Sequence, residues 1–157
     1  MQSGICAPAA RLAALLGYLA LAGAALAAPA GDLTQQWAGF WNAKNLDSLM
    51  SLYAADPVVL PATGERIAGV AEIRKRLGED LGQFDPRLVM TSLASQSSGN
   101  LAYDSGSYEE TLAPVKGGAA LRESGFYLFV FTRKSRAAPW RVVEQSWSRT
   151  SAPSTKP

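Results

Sequence analysis

From Asp32 onward, apolar residues recur at helical spacing. Leu33, Trp37, Phe40 and Trp41 fall at i, i+4, i+7 and i+8, one face of a helix. Asp32 stands before that face and Gln35 follows three residues later, the arrangement of a capping box. Asn45 opens a second helical set of Leu46, Leu49, Met50 and Tyr53. Asp56-Pro57 ends it, because a residue before proline is driven out of the α region. Val58, Val59 and Leu60 form a short buried run closed by Pro61 and Gly64. Gly69 opens a third helix with Val70, Ile73, Leu77 and Leu81 on its inner face.

After Asp85-Pro86 the period changes from helical to alternating. Strands are predicted over residues 88–94, 101–112, 121–133 and 140–149, with turns at Gly99-Asn100 and Lys116-Gly117-Gly118. Helices first and an antiparallel meander afterwards imply an α+β domain, with helices packed on one face of a curved, mostly antiparallel sheet. The polar tail, residues 151–157, is expected to be flexible.

The first 28 residues read differently. Leu12 to Ala27 are apolar and small, a stretch shorter than the roughly 20 residues that span a bilayer. Ala25-Leu26-Ala27 and Ala28-Pro29-Ala30 both fit the small-residue cleavage pattern. The expectation is a cleaved signal peptide over residues 1–28, a domain over 29–150, and a periplasmic or secreted location. The single cysteine, Cys6, lies in the leader, so no disulfide can form within the chain.

Composition narrows the chemistry. Fifteen basic residues face thirteen acidic ones, and loss of Arg11 with the leader leaves fourteen against thirteen. So even a balance offers no electrostatic footprint for nucleic acid, nor for a membrane surface once the leader is removed. The chain has no histidine, which removes the most versatile acid–base side chain and the commonest metal ligand. A Ser–His or Cys–His nucleophile is impossible, and neither a G-x-S-x-G elbow nor a P-loop occurs. No metal and no cofactor is expected.

The segments WAGFWNAKNLDSLMSLYAADPVVLP, GERIAGVAEIRKRL, GNLAYDSGSYEETL, and RESGFYLFVFTRK with WRVVEQSWS together resemble the SnoaL-like branch of the nuclear transport factor 2-like superfamily. The resemblance covers essentially the whole chain after the leader. It implies a cone-shaped half-barrel in which three N-terminal helices close a bent sheet around a deep, mostly apolar pocket. It also implies a homodimer. Members include polyketide cyclases, ketosteroid isomerases and dehydratases, as well as domains that only bind ligands or associate.

Against that pattern the chain departs at its expected acid–base positions. Isomerase-type members carry a carboxylate near the first strand, where this chain has Val58 to Ala62 and no acid; Glu65 is nearest, in a turn. Gln145 stands where many relatives carry Asp or His, and an amide orients a ligand without moving a proton. Glu144 points to the face opposite Gln145. On the long strand, Leu121, Glu123, Tyr127, Phe129 and Phe131 share one face, and Arg122, Phe126, Leu128 and Val130 the other. A strand apolar on both sides is covered on both sides, which favours a dimer.

Tyr103 and Tyr108 lie on opposite faces of their strand, so at most one points inward. The basic run Arg74, Lys75 and Arg76 reads as a solvated helix face. The pocket candidates are Trp41, Tyr53, Tyr127, Gln145, Trp147 and Glu123. The leading expectation is a site that binds a small apolar or aromatic molecule without strong acid–base catalysis. One alternative is an isomerase, cyclase or dehydratase acting on a polyketide- or steroid-like substrate through Glu123 or Glu144. The other is a dimerisation or interaction module.

Overall fold

The strands of the second half bury one face each, which is why their sequences alternate. The computed structural model describes residues 29–150 and 154–155. The expected leader lies outside the described residues. The elements run α1 (Pro29–Asn42), α2 (Leu46–Met50), β1 (Tyr53–Leu60), β2 (Ile67–Ala68), α3 (Val70–Gln83), β3 (Phe84–Ser98), β4 (Leu101–Pro114), β5 (Leu121–Thr132) and β6 (Arg141–Arg149). They build a six-stranded sheet in the order β2-β1-β6-β5-β4-β3. Only the β1–β6 pair is parallel. The helices pack on an open, mixed sheet, as the α+β expectation requires.

Two boundaries differ from the sequence reading. The second helix stops at Met50, and Tyr53 starts β1, where it pairs with Val142 of β6. That distant pairing overrides a local helical period, as tertiary context often does. The first helix is already under way at Pro29, ahead of the capping box proposed at Asp32. The register of β1 against β6 shifts between Tyr53 and Val58, around Pro57, which has no N–H to give to the ladder. At the other end of the chain, Ser154 makes an antiparallel bridge with Arg122.

α1 lies along β3, the outer strand of the sheet, and covers its edge. The Asn42 side chain donates to the Leu88 carbonyl (2.8 Å) and accepts from the Leu88 N–H (2.7 Å). Gln35 donates to the Met90 carbonyl at 3.0 Å. Groups that would otherwise invite another strand are thereby occupied. Behind α1 the concave face of the sheet carries Tyr127, Phe129 and Phe131, all buried with Trp37 and Trp41 in one core. Trp37 stacks on Trp41 at 5.7 Å and meets Phe129 edge-on at 5.6 Å. Each such buried ring stabilises the fold by about 2 kcal/mol through area alone.

The β3–β4 ladder is irregular at one point. β3 carries a bulge between Ser92 and Ala94, opposite Gly106 of β4. A Cβ on Gly106 would lie 1.9 Å from the Thr91 carbonyl oxygen and 2.8 Å from the Tyr127 hydroxyl. Only glycine admits that approach, and bulge and glycine together curve the strands around the core.

Candidate functional site

A cavity of about 300 Å³ opens between α1, α3 and the concave face of the sheet. Its apolar wall comes from all three: Trp37 and Trp41 of α1, Ile73 and Leu77 of α3, and Leu112 and Trp147 of the sheet. The spacing that buries one side of each helix therefore also lines the cavity. Its polar groups come from α3 (Arg76, Asp80), β4 (Tyr108, Glu110), β5 (Glu123) and β6 (Gln145, Arg149).

Glu110 and Glu123 are direct cross-strand partners. Like charges directly opposite each other on a sheet repel. Arg149 answers Glu123 with a 2.7 Å ion pair, and the Tyr108 hydroxyl makes a long 3.5 Å contact to the same carboxylate. Arg76 is taken by Glu65 (2.7 Å) and Asp80 (3.1 Å). Glu110 forms no ion pair among the described residues. One of its oxygens accepts the Trp41 indole N–H at 2.6 Å, and the other has no hydrogen-bond partner among the described residues.

The consequences follow from solvation and charge. Burial pushes the Glu110 carboxyl up to about 7. The Trp41 hydrogen bond opposes that shift, and the carboxylates of Glu123 and Asp80 add to it. Burial raises Asp80 as well, against the pull of Arg76. Tyr108 is pushed up to about 12 by burial and by Glu123, so it remains a phenol at neutral pH. Glu110 therefore exchanges its proton near neutrality, where proton transfer is most effective.

Deeper in the cone, a second polar chain is built. The Trp37 indole donates to the Tyr53 hydroxyl (3.0 Å), which donates to Gln145 Oε1 (2.5 Å). Gln145 is 1% exposed, and its Nε2 has no hydrogen-bond partner among the described residues. Burial raises the Tyr53 hydroxyl far above its ordinary range, so it is a donor at any ordinary pH. Among the described residues, no group of three or more His, Cys, Asp or Glu has the arrangement of a metal site.

Solved structures share this architecture. A conserved protein from Planctomyces limnophilus aligns over 79% of this chain and 94% of its own, with a TM-score of 0.71 at 18% identity. A ketosteroid isomerase-like protein from Erwinia carotovora aligns over 78% and 94%, with 0.69 at 15%. A nuclear transport factor 2-like superfamily protein from Salmonella enterica aligns over 77% and 88%, with 0.67 at 16%. The chain has the nuclear transport factor 2-like fold. No protein-family model matches its sequence, and no curated protein does.

Within this nuclear transport factor 2-like cone, the six residues singled out from sequence separate into two groups. Trp41, Gln145, Trp147 and Glu123 line the cavity. Tyr53 and Tyr127 do not. Tyr53 stands behind Gln145, and Tyr127 donates to Asp104 (2.9 Å) in a separate buried node that also holds Ser92. Glu144 is exposed on the opposite face, as strand alternation requires. The sequence reading passed over Glu110 and Asp80, and left open which of Tyr103 and Tyr108 points inward. Tyr108 and Glu110 are two residues apart on β4 and so share a face, which was the available signal. Arg76 belongs to a basic run read as solvated, yet it turns toward the cavity and pairs with Asp80 one helical turn on.

Proposed function

We propose that the cone takes up a small, mostly apolar or aromatic molecule and that Glu110 exchanges a proton with it. The site is then of isomerase, cyclase or dehydratase type and acts as more than a passive receptor. The observation that carries this reading is Glu110 itself: a carboxyl held by one indole N–H, with a free oxygen and a pKa near 7 on the wall of an apolar cavity. The ketosteroid isomerase-like neighbour is consistent with it in fold. Glu123, the acid first considered, is held by Arg149, and Glu144 is outside the cone.

The test uses 2-indanone, a bicyclic ketone with acidic α-hydrogens, in deuterated buffer at pD near 7. Wild-type protein should accelerate exchange of those hydrogens. Glu110→Gln should lose about 100-fold or more of that acceleration, the usual share of a positioned base. Binding without exchange would make the cone a receptor only, and failure of 2-indanone to bind at the cavity would remove the reading altogether.

A second reading concerns the other face of the sheet, where Phe126 and Leu128 are 53% and 39% exposed. Their strand neighbours on that face are Ser105, Ser107, Ser146 and Ser148, so the patch is apolar, low in relief and free of charge at its centre. A second copy of the chain is the proposed cover, giving a homodimer; sedimentation of the protein measures it. The leader implies export to the periplasm or beyond, with removal of the signal peptide, and intact mass of the exported protein tests that.

A further inference from the structure

The nitrogen of Gln145 is the least explained polar atom in the cone. A buried donor with no acceptor is costly, and native proteins seldom leave one without a reason. Gln145 Nε2 is buried, so bulk water does not solvate it. The side chain lines the cavity, so a small turn of the amide toward an entering oxygen would complete its hydrogen bonds.

The orientation of that amide is fixed from behind. Tyr53 cannot donate to an amide nitrogen, and its own oxygen already accepts from Trp37. Its hydroxyl proton must therefore go to Gln145 Oε1. An amide can be assigned either way round, and here the network selects one. Oε1 is held by the protein, and the NH2 group is the end left without a partner among the described residues. Hydrogen bonds in such a chain also polarise one another, which strengthens the terminal donor.

Resting on the reading of the cone as a small-molecule site, we infer that Trp37, Tyr53 and Gln145 form a relay that presents only a donor at this end of the cavity, so that the ligand offers it a neutral acceptor oxygen, a carbonyl. Tyr53 is a positioning residue, and Gln145 makes the contact. The oxygen is neutral because the same cavity carries Asp80, Glu110 and Glu123 against Arg76 and Arg149, both already in ion pairs. An anionic oxygen would meet an excess of like charge.

The experiment measures dissociation constants of three probes of one shape: 2-indanone (acceptor), indane (no polar group) and indole (donor only). Side-chain amide signals of ¹⁵N-labelled protein are followed in parallel. Wild type should prefer 2-indanone over indane by about tenfold, the ordinary worth of one such hydrogen bond. 2-Indanone alone should move the Gln145 amide signals downfield. Gln145→Leu should abolish the preference for 2-indanone while the protein still binds indane. Tyr53→Phe releases Oε1, so the amide can turn over: 2-indanone should weaken, indole should strengthen, and indane should again report an intact cavity. Equal binding of 2-indanone and indane by wild type would overturn the relay while leaving the cone a small-molecule site. So would a Tyr53→Phe protein with unchanged selectivity and intact indane binding. If none of the three binds, the reading of the cone falls and the relay with it.

Discussion

Replacing Glu110 with glutamine should stabilise the protein above pH 7 and do almost nothing below pH 5. Folding raises this carboxyl from 4.5 to about 7, so the folded state holds its proton more tightly than the unfolded chain does. Below 4.5 both states are protonated and the group contributes no pH dependence. Between 4.5 and 7 the unfolded chain ionises first, so stability falls as pH rises. Above 7 both are ionised and the full penalty is in place. At 1.36 kcal/mol for each unit, the loss amounts to about 3 kcal/mol. Glutamine has no charge to lose and keeps an oxygen for the Trp41 N–H.

The assay is thermal or urea unfolding of wild type and Glu110→Gln from pH 5 to pH 8.5, read by circular dichroism. The chain has no histidine, so the usual titration in this window is absent and the Glu110 step stands almost alone. For a domain of this size, about 3 kcal/mol corresponds to a gap of roughly 10 °C in Tm at pH 8, closing toward pH 5. Asp80, also raised, adds a fall of the same sign in both proteins. Parallel stability curves across the range would refute the reasoning, because they would mean that Glu110 ionises as easily in the cone as in water.

Gly106→Ala should cost about 3 kcal/mol or more, since the new methyl meets the Thr91 carbonyl at 1.9 Å and the backbone must move; a urea midpoint close to wild type would contradict this. Leu128→Glu, on the exposed sheet face, should turn the proposed dimer into a monomer without lowering the Tm of the monomer; sedimentation equilibrium decides it. Of the two small-residue cleavage signals, the one ending at Ala27 should be used. Ala30 is fully buried and accepts the Thr34 hydroxyl at 3.0 Å, so a cut after Ala30 would remove part of the core. The mass of the exported protein separates the two.

The order of elements was legible because period 2 and period 3.6 are local properties of the chain. Gln145 and Glu144 could be assigned to opposite faces from alternation alone, and they are on opposite faces. Tyr53 could not be placed this way. Its spacing from Leu46, Leu49 and Met50 is good helical spacing, and what puts it in a strand is a partner, Val142, far along the chain. Glu110 was hidden for a related reason. Alternation places it beside Tyr108 but does not say which face of β4 looks inward, nor that register sets it opposite Glu123 and under Trp41. Charge near a buried helix face misled in the other direction: Arg76 lies three residues from the buried Ile73, close enough for its long side chain to reach the cavity rim.

Asp104 and Glu110 both stand on the inner face of β4, and their surroundings give them different work. Asp104 is fully buried beside the first turn of α1, and both of its oxygens are used, one by the Ser92 hydroxyl and one by Tyr127. With its donors supplied by the protein, it has nothing to offer a ligand, and it ties β3, β4 and β5 together behind the core. Glu110 lies in the same strand, on the same face, six residues on, yet it receives a single donor and faces two further carboxylates. Its second oxygen is left to whatever enters the cone. Alternation along one strand therefore delivers both groups to the inside, and the number of donors waiting there separates the structural acid from the reactive one. Supplying Glu110 with a second donor should draw its pKa back toward that of an ordinary glutamate. Leu112→Lys, two residues along β4 on the same cavity wall, would do this with an ammonium group, and acceleration of 2-indanone exchange at neutral pH should then follow the ionised fraction of Glu110 as measured by carboxyl NMR.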